Sequence, residues 1–469
     1  MAYDLRESAL SHLRWHVTHA SMRGRNAREN SLWMSSLNLA SGQPLGPERP
    51  EGIAKRCYRF IESPWGSNLY WDVPLLAASH LASGCSGDPL FADAADAYAR
   101  DYIALCTSAS GLFWWGNHYY YDSLKGSPVF FSGDGTEPQA VQPSDCCHYH
   151  ETRPLRVPWE LLWRVNPGAV EKSIRAQAMM HIVDPATGEF NRHADNKAEH
   201  PFQEAGGILA ESLCWLGVQV CDENLVDLAE MVLRFNFNAA HASTGLMPVS
   251  PRKIRWDFHT ATSETGLWAG CALRCHALTG RPAFQEMAAI AMAVWLDHAW
   301  DADAMMFLGR LDVTTGKADR TPRSTPYQPC EYCDPWEPLF PAHDYPIQAA
   351  ETCLRLFQET GRPAFRDGTE HWLRHFEKTL PARCGKGGYA EHYGRMLHWL
   401  TGVETAGWKA AAPLRERLYA EIRQYLLFDN RLLRSHPGED RCDAVDGMGF
   451  LLWALLEAGT VENRSWEPW

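Results

Sequence analysis

Apolar residues recur at helical spacing in blocks that come in pairs. Gly270 to Leu278 is one block, Met287 to Trp300 the next, and Thr279-Gly280-Arg281-Pro282-Ala283-Phe284 lies between them. The same six residues return at Thr360-Gly361-Arg362-Pro363-Ala364-Phe365, between Ala349–Phe357 and His371–Leu380. A looser copy, Ser86-Gly87-Asp88-Pro89-Leu90-Phe91, joins Leu75–Leu81 to Ala92–Leu105. Glycine suits a helix C-cap and proline the first turn of the next helix. The copies predict tight turns of αα-hairpins, and a fixed internal repeat is a fold-level signal.

A second punctuation alternates with the first. Gly111-Leu112-Phe113, Gly188-Glu189-Phe190, Gly245-Leu246-Met247, Met306-Phe307-Leu308, Gly388-Tyr389-Ala390 and Arg431-Leu432-Leu433 each combine a turn with an apolar step, and polar residues follow. Their separation leaves room for one helical hairpin plus loops. The prediction is an all-α fold: an (α/α)6-7 barrel, or toroid, of helical hairpins with little strand. It forms a single domain over residues 1–469, with a long loop insertion around 321–346. Short Gly-Pro turns would mark one end and polar loops the other.

Composition narrows the partners. The formal net charge of −13 argues against nucleic acid, which needs a basic surface. No apolar run is long enough for a membrane span, and Met1 to Leu13 lacks the apolar core of a signal peptide. With fourteen cysteines, this is the expectation for a reduced, cytoplasmic protein, monomer or homodimer. Twenty tryptophans offer flat apolar faces to a sugar as well as to a core.

The polar loops carry the candidate chemistry. They hold Asn117, His118 and Tyr119 to Tyr121; Asn191, Arg192 and His193; Arg252, Lys253, Arg255 and His259; Arg310; His392, Tyr393 and Arg395; and His436 with Arg441. Cations near helix C-termini explain some of these on structural grounds alone. Gathered at one mouth, they suit β-elimination at a uronate. That reaction needs a neutralised carboxylate, a base for the C5 proton and an acid for the leaving oxygen. Cys147, His148, His150 and Glu151 could instead ligate zinc, as could Cys330 and Cys333 with His343, although neither set has a standard paired spacing. Elimination requires no cofactor; structural zinc or calcium is the metal role left to these groups. Walker, dinucleotide-fold and nucleophile-elbow motifs are absent.

Gly111 to His118, His150-Glu151-Thr152-Arg153, Trp159 to Pro167, Phe190-Asn191-Arg192-His193, Gly388 to Arg395 and His436-Pro437-Gly438 together resemble the α/α-barrel polysaccharide lyases of the glucuronan, alginate and pectate type. The resemblance implies a lyase acting on an oligo- or polysaccharide that contains uronic acid. It implies Asn117, His118, His193, Tyr393 and Arg395 as catalytic residues. Trp115, Tyr119, His150, Glu151, Asn191, Arg192, Arg255, His259 and His392 would bind substrate. Such lyases place a tyrosine after an arginine, but Arg252 to Glu264 holds none, so Tyr393, Tyr119 or Tyr327 would take that role. Three other readings stand beside it. A glycoside hydrolase, including an unsaturated uronyl hydrolase, would draw its carboxylate pair from Asp122, Glu151, Glu204, Asp257, Glu264 and Glu391. The others are a sugar epimerase or isomerase using paired histidines, and a non-catalytic glycan-binding toroid.

Overall fold

The computed structural model describes residues 2–21, 30–45, 65–116, 119–130, 139–141, 150–152, 155–253, 257–319, 332–336, 347–380, 388–445 and 447–458. Helices dominate them. In chain order these are α1 (Ala2–His19), α2 (Leu69–Ser86), α3 (Leu90–Leu105), α4 (Trp159–Val165), α5 (Pro167–His181), α6 (Gln203–Val220), α7 (Glu223–Phe237), α8 (Thr262–Thr279), α9 (Pro282–Ala299), α10 (Ile347–Thr360), α11 (Pro363–Thr379), α12 (Ala390–Thr405), α13 (Ala411–Tyr425) and α14 (Met448–Glu457).

The repeated hexapeptides form the turns expected of them. Gly280 and Gly361 end α8 and α10 in the left-handed region, at φ +72° and +65°. Each donates its N–H to the carbonyl four residues back, on His276 and Phe357. Pro282 and Pro363 then open α9 and α11, where no N–H is needed. The α6–α7 hairpin escaped the pattern because its left-handed residue is Cys221, not glycine.

The chain divides into two compact units. The first comprises Met1–Cys146, Leu155–Val170 and Arg383–Trp469; the second comprises Cys147–Pro154 and Glu171–Ala382. In the first unit α14 packs between α2 and α12, and every residue of α14 is buried. In the second, α6 packs on α8 and α8 on α10. A helix apolar on all sides belongs inside a core, whereas α7 and α11 bury one face and expose the other.

Glycine sets how closely the buried helices approach. A Cβ on Gly266 of α8 would lie 2.5 Å from the Ala349 nitrogen of α10. A Cβ on Gly449 of α14 would lie 2.3 Å from the Leu75 nitrogen of α2. Both partners are backbone, so neither can swing aside.

Four of the six members of the second punctuation form tight hairpins just past helix ends, whereas Tyr389 and Ala390 lead into α12. Ile182 pairs with Phe190, Trp300 with Phe307, Thr107 with Phe113 and Leu427 with Leu433. The reversals use left-handed backbone at Gly188, Met305, Gly111 and Arg431. Among the described residues the strands are short, as expected; the longest there, Tyr119–Asp122 and Ser127–Phe130, pair with each other. Of the 321–346 stretch, only 332–336 fall among the described residues. There the Tyr332 hydroxyl donates to Asp301 at 2.8 Å and the Cys333 N–H to the Phe307 carbonyl. No disulfide joins the described cysteines.

Candidate active site

In the second unit, residues 150–152 lie antiparallel against 192–194. Glu151 and His193 form the bridge, Thr152 N–H donates to the Arg192 carbonyl at 2.9 Å, and Ala194 N–H donates to the His150 carbonyl at 3.1 Å. The neighbouring side chains His150 and Glu151 make separate sets of contacts.

Glu151 Oε1 lies 3.5 Å from an Arg192 guanidinium nitrogen and 3.6 Å from His193 Nδ1. Arg192 Nε–H points at His193 Nε2, 3.4 Å away. The Arg192 guanidinium sits 4.7 Å over the Phe202 ring, and His193 meets His200 edge to face. Burial, then the charges of Lys253 and Arg192, hold His200 below the ordinary histidine range. Glu151 is buried, but the His193 side chain is 26% exposed and can meet a ligand.

His150 Nδ1 lies 2.8 Å from His181 Nε2, and His181 Nδ1 lies 2.8 Å from the Asn191 carbonyl. A carbonyl only accepts, so the network assigns the proton on His181 to Nδ1. His181 Nε2 therefore accepts from His150 Nδ1–H. Burial keeps both rings neutral, with His181 lowered to about 4 and His150 also well below its ordinary value. The Asn191 side chain is spent locally, donating to Asp195 at 2.7 Å and accepting the His193 N–H at 3.2 Å.

The other proposed site residues fall elsewhere. His259 is buried on a short strand against Arg310–Asp312, its ring edge on Phe258. Arg310 forms a buried ion pair with Asp319 at 2.8 Å, and Arg252 pairs with Glu189. In the first unit, Trp115 packs on Tyr70, and Tyr119 on Trp114 and Phe130. Arg395 lies 3.7 Å from Glu391 and over the Phe450 ring, while His392 and His436 both edge onto Tyr389. The Tyr393 hydroxyl donates to Glu421 at 3.0 Å and accepts the Gly388 N–H at 3.1 Å. Burial, then the Glu421 charge, pushes that phenol far above its ordinary pKa, which is the opposite of what a base needs. Asn117, His118, Arg255, Tyr327, Cys147, His148, Cys330 and His343 lie outside the described residues.

Sequence reading did not notice that buried helices start with an acid: Asp72 on α2, Glu204 on α6, Glu264 on α8 and Glu391 on α12. Burial pushes Asp72 up to about 7, against the hydrogen bonds from Tyr98 and Ser67. Acids favour helix starts for electrostatic reasons alone, so the signal surfaces only once helix boundaries are known.

Two places invite a metal. Glu151 and His193 are one carboxylate and one imidazole, a partial set for a divalent cation. His12 Nε2, His16 Nδ1 and Cys442 Sγ gather in the first unit, with 3.4 and 3.9 Å to the sulfur. However, Leu433 N–H donates to His12 Nδ1 at 3.1 Å, leaving the His12 proton on Nε2 facing the sulfur. A ligating histidine needs the reverse, its outer nitrogen donating. The trio is a hydrogen-bonded chain.

Against known proteins, residues 74–205 match the family model described as periplasmic pectate lyase. That match overturns the cytoplasmic expectation, since the family is described as periplasmic. No helix among the described residues is long and apolar enough to cross a membrane. No curated protein matches the chain. A sugar epimerase from a ruminal bacterium superposes with a TM-score of 0.50 at 9% identity, over 98% of this chain and 100% of the epimerase. Cellobiose 2-epimerase from Bacillus thermoamylovorans gives 0.49 at 7% identity, over 97% and 99%. The family 76 α-1,6-mannanase of a Salegentibacter species gives 0.44 at 9%, over 97% and 99%. The helices and the epimerase superposition at 0.50 show the fold alone: the chain is all-α and of the α/α-barrel fold class, as its helix pairs predict.

Proposed function

We propose that this protein is a carbohydrate-active enzyme that cleaves a uronate-containing oligo- or polysaccharide by β-elimination. The observation that carries the reading is the contact among Glu151, Arg192 and His193, inside the segment that matches the pectate-lyase family model. A guanidinium takes a carboxylate in a paired, charge-assisted fashion, so Arg192 binds the uronate carboxylate and makes the C5 proton acidic. The Glu151 carboxylate, 3.6 Å from His193 Nδ1, favours the proton on that nitrogen electrostatically, leaving Nε2 as the base. When substrate draws the guanidinium to its own carboxylate, Nε2 is released. The C5–H bond breaks toward Nε2, the C4–C5 double bond forms, and the C4–O bond breaks. The imidazolium returns its proton to the departing oxygen when both groups leave from one face; otherwise water protonates it. The test is near-ultraviolet absorbance of the new double bond, with polygalacturonate, glucuronan and alginate oligomers as substrates, with and without added divalent cations. No rise with any of them sinks the reading.

A second reading has one observation in its favour. Burial raises Asp72, in the first turn of α2, to about 7, the direction that a glycosidase's general acid needs. The superposed mannanase and sugar epimerase are themselves named for hydrolysis and epimerisation. Reducing ends released without absorbance would select hydrolysis over elimination.

A further inference from the structure

Buried acids in this protein have partners: Glu189 has Arg252, Glu211 has Arg274, Glu421 has the Tyr393 hydroxyl and Glu457 has His398. Glu204 is different. It is 5% exposed, and its Oε2 is sealed from solvent without a hydrogen-bond partner among the described residues. Burying an unpaired carboxylate is costly, and such a group persists where something else supplies the partner. Glu204 stands two residues beyond Phe202, whose ring carries the Arg192 guanidinium, and four beyond His200, which edges onto His193. It also opens α6, whose N-terminal dipole favours a negative charge.

We infer that Glu204 is a substrate-binding carboxylate, held unpaired in the free protein so that it accepts a hydrogen bond from a hydroxyl of the bound glycan. This rests on the reading of Arg192 and His193 as the site. The uronate carboxylate pairs with Arg192, and a sugar hydroxyl pairs with Glu204. The two groups thus select a sugar with an acid at one position and a free hydroxyl at another. The free protein bears the cost of the unpaired carboxylate; to meet the glycan the Glu204 side chain turns out of its sealed position, and ligand binding supplies the partner it lacks.

The test uses Glu204→Gln in the full chain. Its outcomes separate this inference from the reaction class. Calorimetry with trigalacturonate, in a His193→Ala background that prevents turnover, should show affinity falling about tenfold or more, as loss of a charged acceptor implies. The ligand-free variant should melt at a higher temperature than the parent, because a neutral amide costs less to bury. A merely structural glutamate would give the reverse, a lower melting temperature. Unchanged affinity, or a lower melting temperature, overturns the inference. Mannotriose is the parallel probe. If the parent binds it and not the uronide, and Glu204→Gln weakens that binding, Glu204 keeps its role and the uronate reading fails.

Discussion

Glu151 Oε1 lies 3.6 Å from His193 Nδ1 across an antiparallel bridge that the two residues themselves form. The backbone pairing brings the two side chains side by side. Beneath it, His150, His181 and the Asn191 carbonyl form a second chain of hydrogen bonds that holds the same two segments together. The site is preorganised by sheet-like pairing between two loops.

Removing His193 should therefore stop the chemistry. His193→Ala is expected to lower the elimination rate by the 10²- to 10⁴-fold typical of a lost general base, roughly. Glu151→Gln keeps the shape but removes the charge beside His193 and Arg192, and should cost about tenfold or more. Rates of double-bond absorbance on one oligouronide measure both. A His193→Ala enzyme with parental rates would remove the imidazole from the mechanism.

Acid should destabilise the fold before it reaches ordinary carboxylates. Burial lowers His12 to about 3 and His16, His181 and His375 to about 4, against 6.5 in the unfolded chain. Below pH 6.5 the unfolded state binds more protons at these residues, so stability falls as pH drops toward 4. Asp72 works the other way. Its folded pKa of about 7 exceeds its unfolded value, so its contribution to stability grows as pH falls from 7 to 4. Urea midpoints should drop between pH 7.5 and 5, and drop more steeply in Asp72→Asn. A flat profile in both proteins would contradict the burial of these rings.

Tyr393 tests whether proximity to the polar loops confers a role. Its hydroxyl is committed to Glu421 and Gly388, and its proton is held by burial. Tyr393→Phe should leave kcat close to parental and lower stability by about 1–3 kcal/mol, since a buried carboxylate and an N–H lose a partner. Parallel kinetics and denaturant melts distinguish this from a catalytic tyrosine, whose loss would spare stability and collapse the rate.

The repeat turns were legible because their physics is local. A left-handed glycine and a proline two residues later mark a helix end and a helix start whatever surrounds them, as at Gly280 and Pro282. Arg192 and His193 were legible for a related reason, as polar residues just beyond an apolar step that must turn. Their pairing with Glu151 was not, because a bridge between residues 42 positions apart depends on how loops meet. Arg395, Tyr393 and His392 show the converse. Their residue types suit catalysis, but the α12 start places them in a buried network, and helical phase decided that.

Helix spacing offers a final test that is independent of chemistry. Gly266 lets α8 lie against α10 so closely that a Cβ would stand 2.5 Å from the Ala349 nitrogen and 2.6 Å from its Cα. Helical propensity alone would make Gly266→Ala stabilising, by roughly 1 kcal/mol. Overpacking against backbone opposes this and costs typically 1–3 kcal/mol, sometimes more. Because the obstacle is main chain, relief requires moving a whole helix, and the overpacking cost wins. Gly266→Ala should lower the melting temperature, whereas Gly84→Ala on α2, with no neighbour within 4 Å of its Cβ, should raise it or leave it unchanged. Thermal melts of the two variants side by side give opposite signs if the close approach is real. Two equally stabilised proteins would mean that α8 and α10 lie farther apart than this packing requires.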